Sequence, residues 1–175
     1  MTPTVLHHFS EDPNIVRFVP HVPRTNPEHR RAVWAIDGEH APLYWFPRDC
    51  PRVTIWPLRT NDLIEFQTRL ATAALRVHAI ESGWLERMRS TQIYRYDFEP
   101  EGFYQWEEAN GQWISERDVV PAAVTPVGDL LDAHARAKIE LRIVPDLWPL
   151  HDLALERRFD FSIVRMHNAQ PRSCS

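Results

Sequence analysis

Residues 33–52 read VWAIDGEHAPLYWFPRDCPR, a stretch in which a strand, a turn and a short helix are expected to follow one another. Its aromatic side chains are Trp34, Tyr44, Trp45 and Phe46. Its charged or titratable side chains are Asp37, Glu39, His40, Arg48, Asp49 and Arg52. Aromatic faces beside fixed charges suit recognition of a planar, polar ligand. The same composition also suits a packed core with a charged rim.

The length and the composition of the whole chain favour one globular domain. The chain has 175 residues, 43% of them hydrophobic and 25% charged, with a net charge of −4. This length is near the usual size of one domain, which we expect at residues 1–167, followed by a polar tail at residues 168–175. A dedicated nucleic-acid-binding protein would carry a basic excess, although a local basic groove is compatible with this composition.

The terminal sequence and the rare residue types exclude several classes. MTPTVLHHFSEDP has no basic region followed by an apolar run, and nowhere do 18 uncharged apolar residues occur together. We therefore expect a soluble, cytoplasmic protein without membrane contact. Cys50 and Cys174 are too few for a disulfide framework. With 5 glycines against 15 prolines, the chain has no Gly-rich phosphate loop and no GxGxxG motif.

The hydrophobic pattern predicts an α+β fold with a split mixed or antiparallel sheet and short flanking helices. Strands are expected at residues 4–9, 32–36, 52–56, 76–81, 91–98, 112–115, 119–127 and 138–144. Helices are expected at residues 38–45, 84–89 and 128–136, and a last element at residues 147–166 is expected to cover the sheet. Within residues 91–98, alternation predicts one face with Ile93, Arg95 and Asp97 and another with Tyr94, Tyr96 and Phe98.

The same alternation predicts that His7 and His8 point to opposite faces of the first strand, so the two cannot both ligate one metal. A metal site of His8, Asp37 and His40 stays an alternative to the expectation of none. Cys50 with His40 has the composition of a nucleophile and its base. We expect Cys50 instead to be a buried structural residue.

Three segments, in this order along the chain, resemble the split signature of the ADP-ribosyltransferase fold. They are His8-Phe9-Ser10 at the end of the first strand, the aromatic stretch from Trp34 to Tyr44, and GQWIS at residues 111–115 followed by ERDVVP. Residues 93–103, IYRYDFEPEGF, are similar to the corresponding part of rifampin ADP-ribosyltransferases. RNA 2′-phosphotransferases belong to the same superfamily. The whole chain also resembles a family of small uncharacterised bacterial proteins, which implies no function.

This resemblance implies a protein that binds NAD, as co-substrate, or an ADP-ribosyl or 2′-phosphate group, and transfers it to a small molecule or nucleic acid. In such a site His8 would bind a ribose hydroxyl, Ser10 would orient an amide or phosphate, and two aromatic rings would sandwich the nicotinamide. The implied binding residues are His8, Ser10, Trp34, Tyr44, Arg48 and Arg52. The implied catalytic residues are His8, Tyr44 and Glu116. We expect His8, Ser10, Trp34 and Tyr44 to line one cleft.

The acidic residue is where the chain departs from the resemblance. Gln112 stands where polymerase-type members have a glutamate, and a carboxylate there would stabilise an oxocarbenium-like transition state. Possible substitutes are Glu116, Glu107, Glu108 and Asp97. An enzyme and a non-catalytic module that binds a nucleotide or a protein therefore both stay open. The RNA 2′-phosphotransferases lack that glutamate and use basic residues, so Arg48 and Arg52 keep phosphate transfer open. The alternative interpretation of these two arginines is a surface ion-pair cluster around Asp49.

Overall fold

The structure, a computed structural model, describes residues 3–22, 28 and 30–172. Among these residues the strands are β1 (Leu6–Ser10), β2 (Val33–Ile36), β3 (Arg52–Trp56), β4 (Val77–Glu81), β5 (Tyr94–Phe98), β6 (Tyr104–Gln105), β7 (Gln112–Ser115), β8 (Ala123–Pro126), β9 (Glu140–Val144) and β10 (Asp160–Val164). The α-helices are α1 (Leu63–Arg69), α2 (Leu85–Ser90), α3 (Leu130–Arg136) and α4 (Trp148–Leu155). Short 3₁₀ helices lie at Ala41–Tyr44, Thr60–Asp62, Ser82–Trp84 and Met166–Asn168. The predicted α+β class, with mixed and antiparallel sheets and short helices, is confirmed.

The chain divides into two compact units, and each unit is discontinuous in sequence. Unit 1 contains residues 1–45 and 92–127, and unit 2 contains residues 46–91 and 128–175. The expectation of a single domain over residues 1–167 stays a prediction, because two such units can belong to one domain. Across the described ranges, no helix combines the length and the apolar character needed to cross a membrane.

Unit 1 is built on a six-stranded sheet in the order β6-β7-β2-β1-β5-β8. Every pairing in it is antiparallel. The edge strand β8 ends on Pro126, which is tolerated there because an edge strand does not need every backbone N–H for pairing. The two central strands, β1 and β2, come from the two segments that the sequence singles out.

Side-chain alternation gives this sheet two different faces. His7 lies opposite Asp97 on β5 and opposite Ile36 on β2. Directly paired residues share a face, and neighbours along a strand alternate. The core face therefore carries Leu6, His8, Val33, Ala35, Tyr96 and Phe98; the pocket face carries His7, Phe9, Trp34, Ile36, Arg95 and Asp97. The predicted separation of His7 from His8, and of Asp97 from Tyr96, is confirmed.

The core face is closed by the segment that follows β1. Tyr96 is fully buried, and its hydroxyl donates to the carbonyl of Asp12 and accepts from the amide of Ile15. The ring of Phe18 packs edge-on against Tyr96 at 5.1 Å and against Phe98 at 5.0 Å. A buried tyrosine needs a partner for its hydroxyl, so these bonds fix the segment while the rings bury their area.

Unit 2 is built on a four-stranded mixed sheet in the order β10-β3-β4-β9, in which only β4 and β9 are parallel among its described pairings. Every residue of β4 is buried, as expected for a strand covered on both faces. One face packs in a cluster that includes Val53, Val77, Phe66 and Leu147. The other face carries His78, which bonds to α3.

The last part of the chain differs from its prediction as one covering element. Residues 147–166 contain helix α4 and then strand β10, which pairs with β3. Between them Arg157 has a φ of +55°, a left-handed conformation that ends the helical run. A second difference is the short strand β6, which lies within a segment expected to be a loop.

The described part of the expected polar tail, residues 168–172, is held to unit 2. The backbone amide of Gln170 donates to the buried carboxylate of Glu81, at 3.0 Å from each oxygen. The guanidinium of Arg172 donates to both carboxylate oxygens of Asp152 and lies over the ring of Trp148. These bonds hold the segment through its backbone as well as through charged side chains.

Candidate functional site

A small pocket on the pocket face of unit 1 is the candidate site. Its volume is about 70 Å³, and its lining residues are His7, His8, Phe9, Trp34, Ala35, Ile36, Tyr44 and Gln112. Pockets that bury a drug-sized ligand measure roughly 300–1,000 Å³. For comparison, a cavity of about 150 Å³ holds a benzene ring. A ring-sized ligand would therefore enter this pocket only in part, and the rest of it would lie outside.

The walls of the pocket are aromatic. Tyr44 ends the 3₁₀ helix Ala41–Tyr44, which has Pro42 in its first turn, where a proline's fixed φ is already helical. The ring of Tyr44 lies parallel to that of Phe9, with 3° between the planes and 6.2 Å between the centroids. Trp34 packs edge-on against Trp106 at 5.5 Å. A flat ring that enters the pocket would find faces on which to stack.

The polar side of the pocket is set by Gln112. Its Nε2 donates to the hydroxyl of Tyr44 at 2.8 Å, which orients both side chains. From the described part of the chain, no donor reaches the other side-chain atom of Gln112, the acceptor Oε1. An amide group on a ligand would be able to donate to it.

His7 supplies the titratable group of the pocket. Its Nδ1 lies 2.8 Å from Oδ1 of Asp97, which is its direct partner across the β1–β5 pairing. Asp97 in turn accepts from Arg95 through Nε at 2.8 Å and Nη2 at 3.0 Å. Such a two-point ion pair fixes the plane of the carboxylate. The register of two strands thus assembles a His–Asp–Arg row on the pocket face.

A second histidine–aspartate pair lies in the turn after β2. Nδ1 of His40 lies 2.8 Å from Oδ1 of Asp37, and the amide of His40 donates to the same oxygen. Burial raises the pKa of Asp37. The hydrogen bonds from His40 together outweigh burial, so the pKa lies below its usual value. His40 also packs on Gly111, whose φ is +76° and whose missing Cβ would lie 2.3 Å from the ring.

The expected single cleft of His8, Ser10, Trp34 and Tyr44 needs a correction. Trp34 and Tyr44 line the pocket, and His8 borders it. The ring of His8, however, lies on the core face, 4.8 Å from the ring of Phe18, and its Nδ1 bonds to the backbone carbonyl of Trp34. Ser10 is also a core-face position, and its hydroxyl accepts from the amide of Asp12. The cause is strand alternation, since His8 and Ser10 differ in parity from His7 and Phe9.

The proposed acidic residues lie in different places. Glu116 is exposed and bonds to Tyr104 and Arg30. Glu107 and Glu108 are also exposed. Asp97 alone of the four reaches the lining of the pocket, through its bond to His7.

No group of three or more His, Cys, Asp or Glu side chains within the described ranges is close enough to hold a metal ion. In the alternative site of His8, Asp37 and His40, Nδ1 of His40 is bonded to Asp37, and the ring of His8 lies on the core face.

Arg48 and Arg52, the expected phosphate ligands, both belong to unit 2. Arg48 is exposed, and its carbonyl accepts from Arg165. Arg52 is buried, donates to the carbonyl of Cys50 at 3.2 Å and lies 5.0 Å from the ring of Phe46. Its burial takes Arg52 out of the surface, while Asp49 forms an ion pair with Arg165 at 3.8 Å.

A buried histidine pair in unit 2 was not singled out as a site from the sequence. Nδ1 of His78 lies 3.0 Å from Nε2 of His134, and Nδ1 of His134 lies 2.7 Å from the carbonyl of Leu130. Since a carbonyl only accepts, His134 donates through Nδ1 and accepts through Nε2, so Nδ1 of His78 donates. Nε2 of His78 is sealed and has no hydrogen-bond partner among the described residues. Alternation in RVHAIE, residues 76–81, was the available signal.

Burial lowers the pKa of both histidines of this pair. The pKa of His78 lies well below its usual range, because the charges of His134 and then of the nearby arginines add to the effect of burial. For His134 the bond to the Leu130 carbonyl opposes burial without reversing it. Burial also raises the pKa of the Cys50 thiol to about 12, against a smaller opposing effect of Arg52. Cys50 is therefore a thiol rather than a thiolate near neutral pH, as expected for a structural residue.

The fold and the pocket describe an α+β protein with an aromatic, histidine-lined pocket on one sheet face. The family model that matches the chain is DUF6886, a family of unknown function, over residues 7–169. Because the match spans most of the chain, the protein belongs to this family. No curated protein and no solved structure matches it. The matched range includes every residue that lines the pocket.

Proposed function

We propose that unit 1 binds NAD or an ADP-ribosyl compound, with the nicotinamide ring in the aromatic pocket. The observation that carries the proposal is the pair of parallel rings of Phe9 and Tyr44 beside the amide of Gln112. Nicotinamide is a flat ring with a carboxamide, so it matches both the aromatic walls and the free acceptor on Gln112. The resemblance of the three sequence segments to ADP-ribosyltransferases motivates the choice of this ligand.

The lining of the pocket favours the ring end of the ligand over its phosphates. Among the described residues the lining includes no lysine or arginine, and a volume of about 70 Å³ leaves no room for a phosphate beside a ring. Phosphate recognition relies on arginine, lysine or helix N-termini. We therefore propose nicotinamide recognition rather than capture of a 2′-phosphate as the role of this pocket.

A second candidate, a non-catalytic binding module, is favoured by a specific observation. Within the described ranges the lining contains no carboxylate, and Gln112 occupies the position at which the resemblance implies a catalytic glutamate. A carboxylate next to the ribose would stabilise developing positive charge, so its absence from the lining favours binding over transfer. The two candidates share the same ligand and differ in turnover.

Calorimetric titration with nicotinamide, NAD, ADP-ribose and a 2′-phosphorylated RNA tests the proposal. We expect nicotinamide and NAD to bind with dissociation constants between micromolar and millimolar, and ADP-ribose, which lacks the ring, to bind more weakly. Tyr44→Ala should weaken NAD binding about two- to tenfold, since aromatic stacking contributes about 0.5–1.5 kcal/mol.

Tyr104→Ala is the matched control, because Tyr104 belongs to the same unit, is exposed and does not line the pocket. It should leave NAD binding unchanged. Absence of heat with all four ligands at millimolar concentration, or equal weakening by both tyrosine variants, would contradict the proposal. Binding of the RNA alone would move the function to phosphate recognition.

A further inference from the structure

We propose that His7 is the general base of the unit 1 pocket and activates water for hydrolysis of the bond between nicotinamide and ribose in NAD. Asp97 acts as its positioning residue. This inference rests on the proposed function, since it takes NAD as the ligand. It departs from the roles implied by the sequence resemblance, which point to His8 and Glu116.

The first support is the way the sheet holds the imidazole of His7. His7 and Asp97 face each other directly across β1 and β5, and the carboxylate receives the Nδ1–H at 2.8 Å. This bond fixes the tautomer in which Nε2 carries the lone pair. A carboxylate in this position also stabilises the imidazolium that forms when Nε2 takes a proton.

The second support is the way Asp97 is held. Arg95, two residues along the same strand, donates to both carboxylate oxygens. The side chain of Asp97 is 16% exposed and that of Arg95 is 42% exposed, so the row runs from solvent toward His7. An orienting group that is itself fixed on a strand keeps the base in place.

The third support is access to Nε2 of His7. Nε2 has no hydrogen-bond partner among the described residues, and it is not one of the sealed side-chain atoms, unlike Nε2 of His78. His7 lines the pocket, and Gly38 lies beside its ring: a methyl group on Gly38 would be 3.7 Å from Nε2. A lone pair that is both oriented and reachable is what a general base needs.

The reaction balances without a further reactant. A water molecule gives one proton to Nε2 of His7 while its oxygen bonds to the anomeric carbon of the ribose. The carbon–nitrogen bond to nicotinamide breaks, and its electron pair goes to the ring nitrogen, which becomes neutral. The products are nicotinamide and ADP-ribose, and His7 passes its proton to solvent.

Two measurements on each variant test the inference: NAD affinity by calorimetry and nicotinamide release by chromatography. His7→Gln is expected to keep NAD affinity within about threefold and to lower kcat by about 100-fold or more, the usual contribution of a general base. Asp97→Asn should lower kcat with little change in KM, because a neutral amide does not stabilise the imidazolium and its NH2 group can donate to Nδ1 and select the other tautomer.

His21→Gln is the matched control, because His21 is an exposed histidine of the same unit that does not line the pocket. It should keep both affinity and kcat. Added imidazole should partly restore nicotinamide release to His7→Ala, which a purely structural role of His7 would not allow.

Gly38→Ala is a second variant that does not depend on removing the imidazole. Its new methyl group would contact Nε2 at an ordinary van der Waals distance and without backbone strain, so folding should be kept. Nicotinamide release should fall severalfold, because the methyl group hinders the approach of water to the base.

The outcomes separate the two proposals. NAD binding without nicotinamide release by the wild type overturns the general base and leaves the binding site. Release that survives in His7→Gln also overturns it. Failure of NAD to bind overturns both proposals. Retained binding with release lost in His7→Gln and kept in His21→Gln supports both.

Discussion

His7 in unit 1 and His78 in unit 2 are both buried histidines on central strands, yet their ring nitrogens meet different surroundings. The residue exposures are 8% and 0%. The Nδ1–H of His7 donates a hydrogen bond to a carboxylate and Nε2 stays reachable, whereas the Nδ1–H of His78 donates to another imidazole and Nε2 is sealed. Burial alone therefore does not distinguish the two histidines; the partner of one ring nitrogen and the access to the other do.

The difference also has an electrostatic side. A carboxylate beside an imidazole stabilises the protonated form, while a second imidazole in a sealed core does not. The groups nearest to His78 add to this, since His134, Arg76 and Arg52 all disfavour its positive charge. Unit 1 thus holds a histidine that is bonded to a carboxylate, whereas unit 2 holds two histidines that are bonded to each other and whose pKa is lowered by burial.

The largest expected effect that tests this comparison is a loss of stability in mild acid. The pKa of His78 and of His134 is lowered in the folded state, so below the unfolded value of 6.5 the unfolded chain binds protons that the folded chain does not. The free energy of unfolding should therefore fall as pH drops below 6.5, by up to about 1.4 kcal/mol per pH unit for each histidine. Urea unfolding at a series of pH values between about 7 and 5 measures this slope.

The double variant His78→Leu/His134→Leu isolates the pair from the other titrating groups. Replacing both partners of a buried hydrogen bond by apolar groups is close to neutral at pH 7. The slope below pH 6.5 should then decrease, because two protonation sites with lowered pKa are gone. An unchanged slope would show that His78 and His134 take up protons in the folded state, and the contrast with His7 would be lost.

A smaller effect is expected at the glycine under His40. Gly111→Ala should lower the free energy of unfolding by roughly 1–3 kcal/mol, because the left-handed φ is strained for alanine and the new Cβ would overlap the ring of His40. Gly38→Ala is its control. The nearest atom to a Cβ on Gly38 is Nε2 of His7 at 3.7 Å, and the free energy of unfolding should change by no more than about 0.5 kcal/mol. Denaturant midpoints at pH 7 compare the two. Equal midpoints would mean that the side chain of His40 moves aside at no cost in free energy, so its contacts would not hold it rigidly.

The smallest effect is expected at Cys50. In a Cys174→Ser background, Cys50 should react with iodoacetamide only after unfolding, because it is fully buried and burial raises the pKa of its thiol to about 12. Cys50→Ala should cost about 1 kcal/mol of stability and leave NAD binding unchanged. Rapid labelling of the folded protein, followed by mass spectrometry, would show that unit 2 opens around this side chain.

Much of the local structure follows from sequence pattern. Strand β3 has the predicted bounds, residues 52–56, and the alternation of β5 separates Asp97 from Tyr96 as predicted. These elements were accessible because the side-chain period of a strand is a local property. The opposite directions of His7 and His8 follow for the same reason.

Local alternation does not show which of the two histidines turns its ring to the pocket face. That depends on the register between strands that are far apart in sequence: His7 pairs with Asp97, 90 residues later. Local alternation says that two faces exist, but the partner strands decide which one is filled by apolar side chains. The choice of His8 from its sequence motif therefore gave a residue of the core face.

The buried polar groups of unit 2 depend on long-range packing as well. His78 meets His134 through the placement of α3 against the sheet, and Arg52 is covered although its neighbours in sequence are charged. Strand β10 was missed because its pairing partner, β3, precedes it by about a hundred residues. Tertiary context overrides local pattern at such positions.

The interleaving of the two units has a consequence for how the chain folds. Unit 1 needs β7 and β8 to complete its sheet, and unit 2 needs β9 and β10, so synthesis must pass residue 126 before the first sheet is complete and residue 164 before the second is complete. The first sheet therefore needs nearly three quarters of the chain and the second needs almost all of it, and several pairings join distant segments, such as β1 with β5 and β3 with β10. Such high contact order slows folding and leaves unpaired strand edges exposed on the nascent chain. During synthesis, one edge each of β1, β2 and β3 therefore stays unpaired until β5, β7 and β10 have been made.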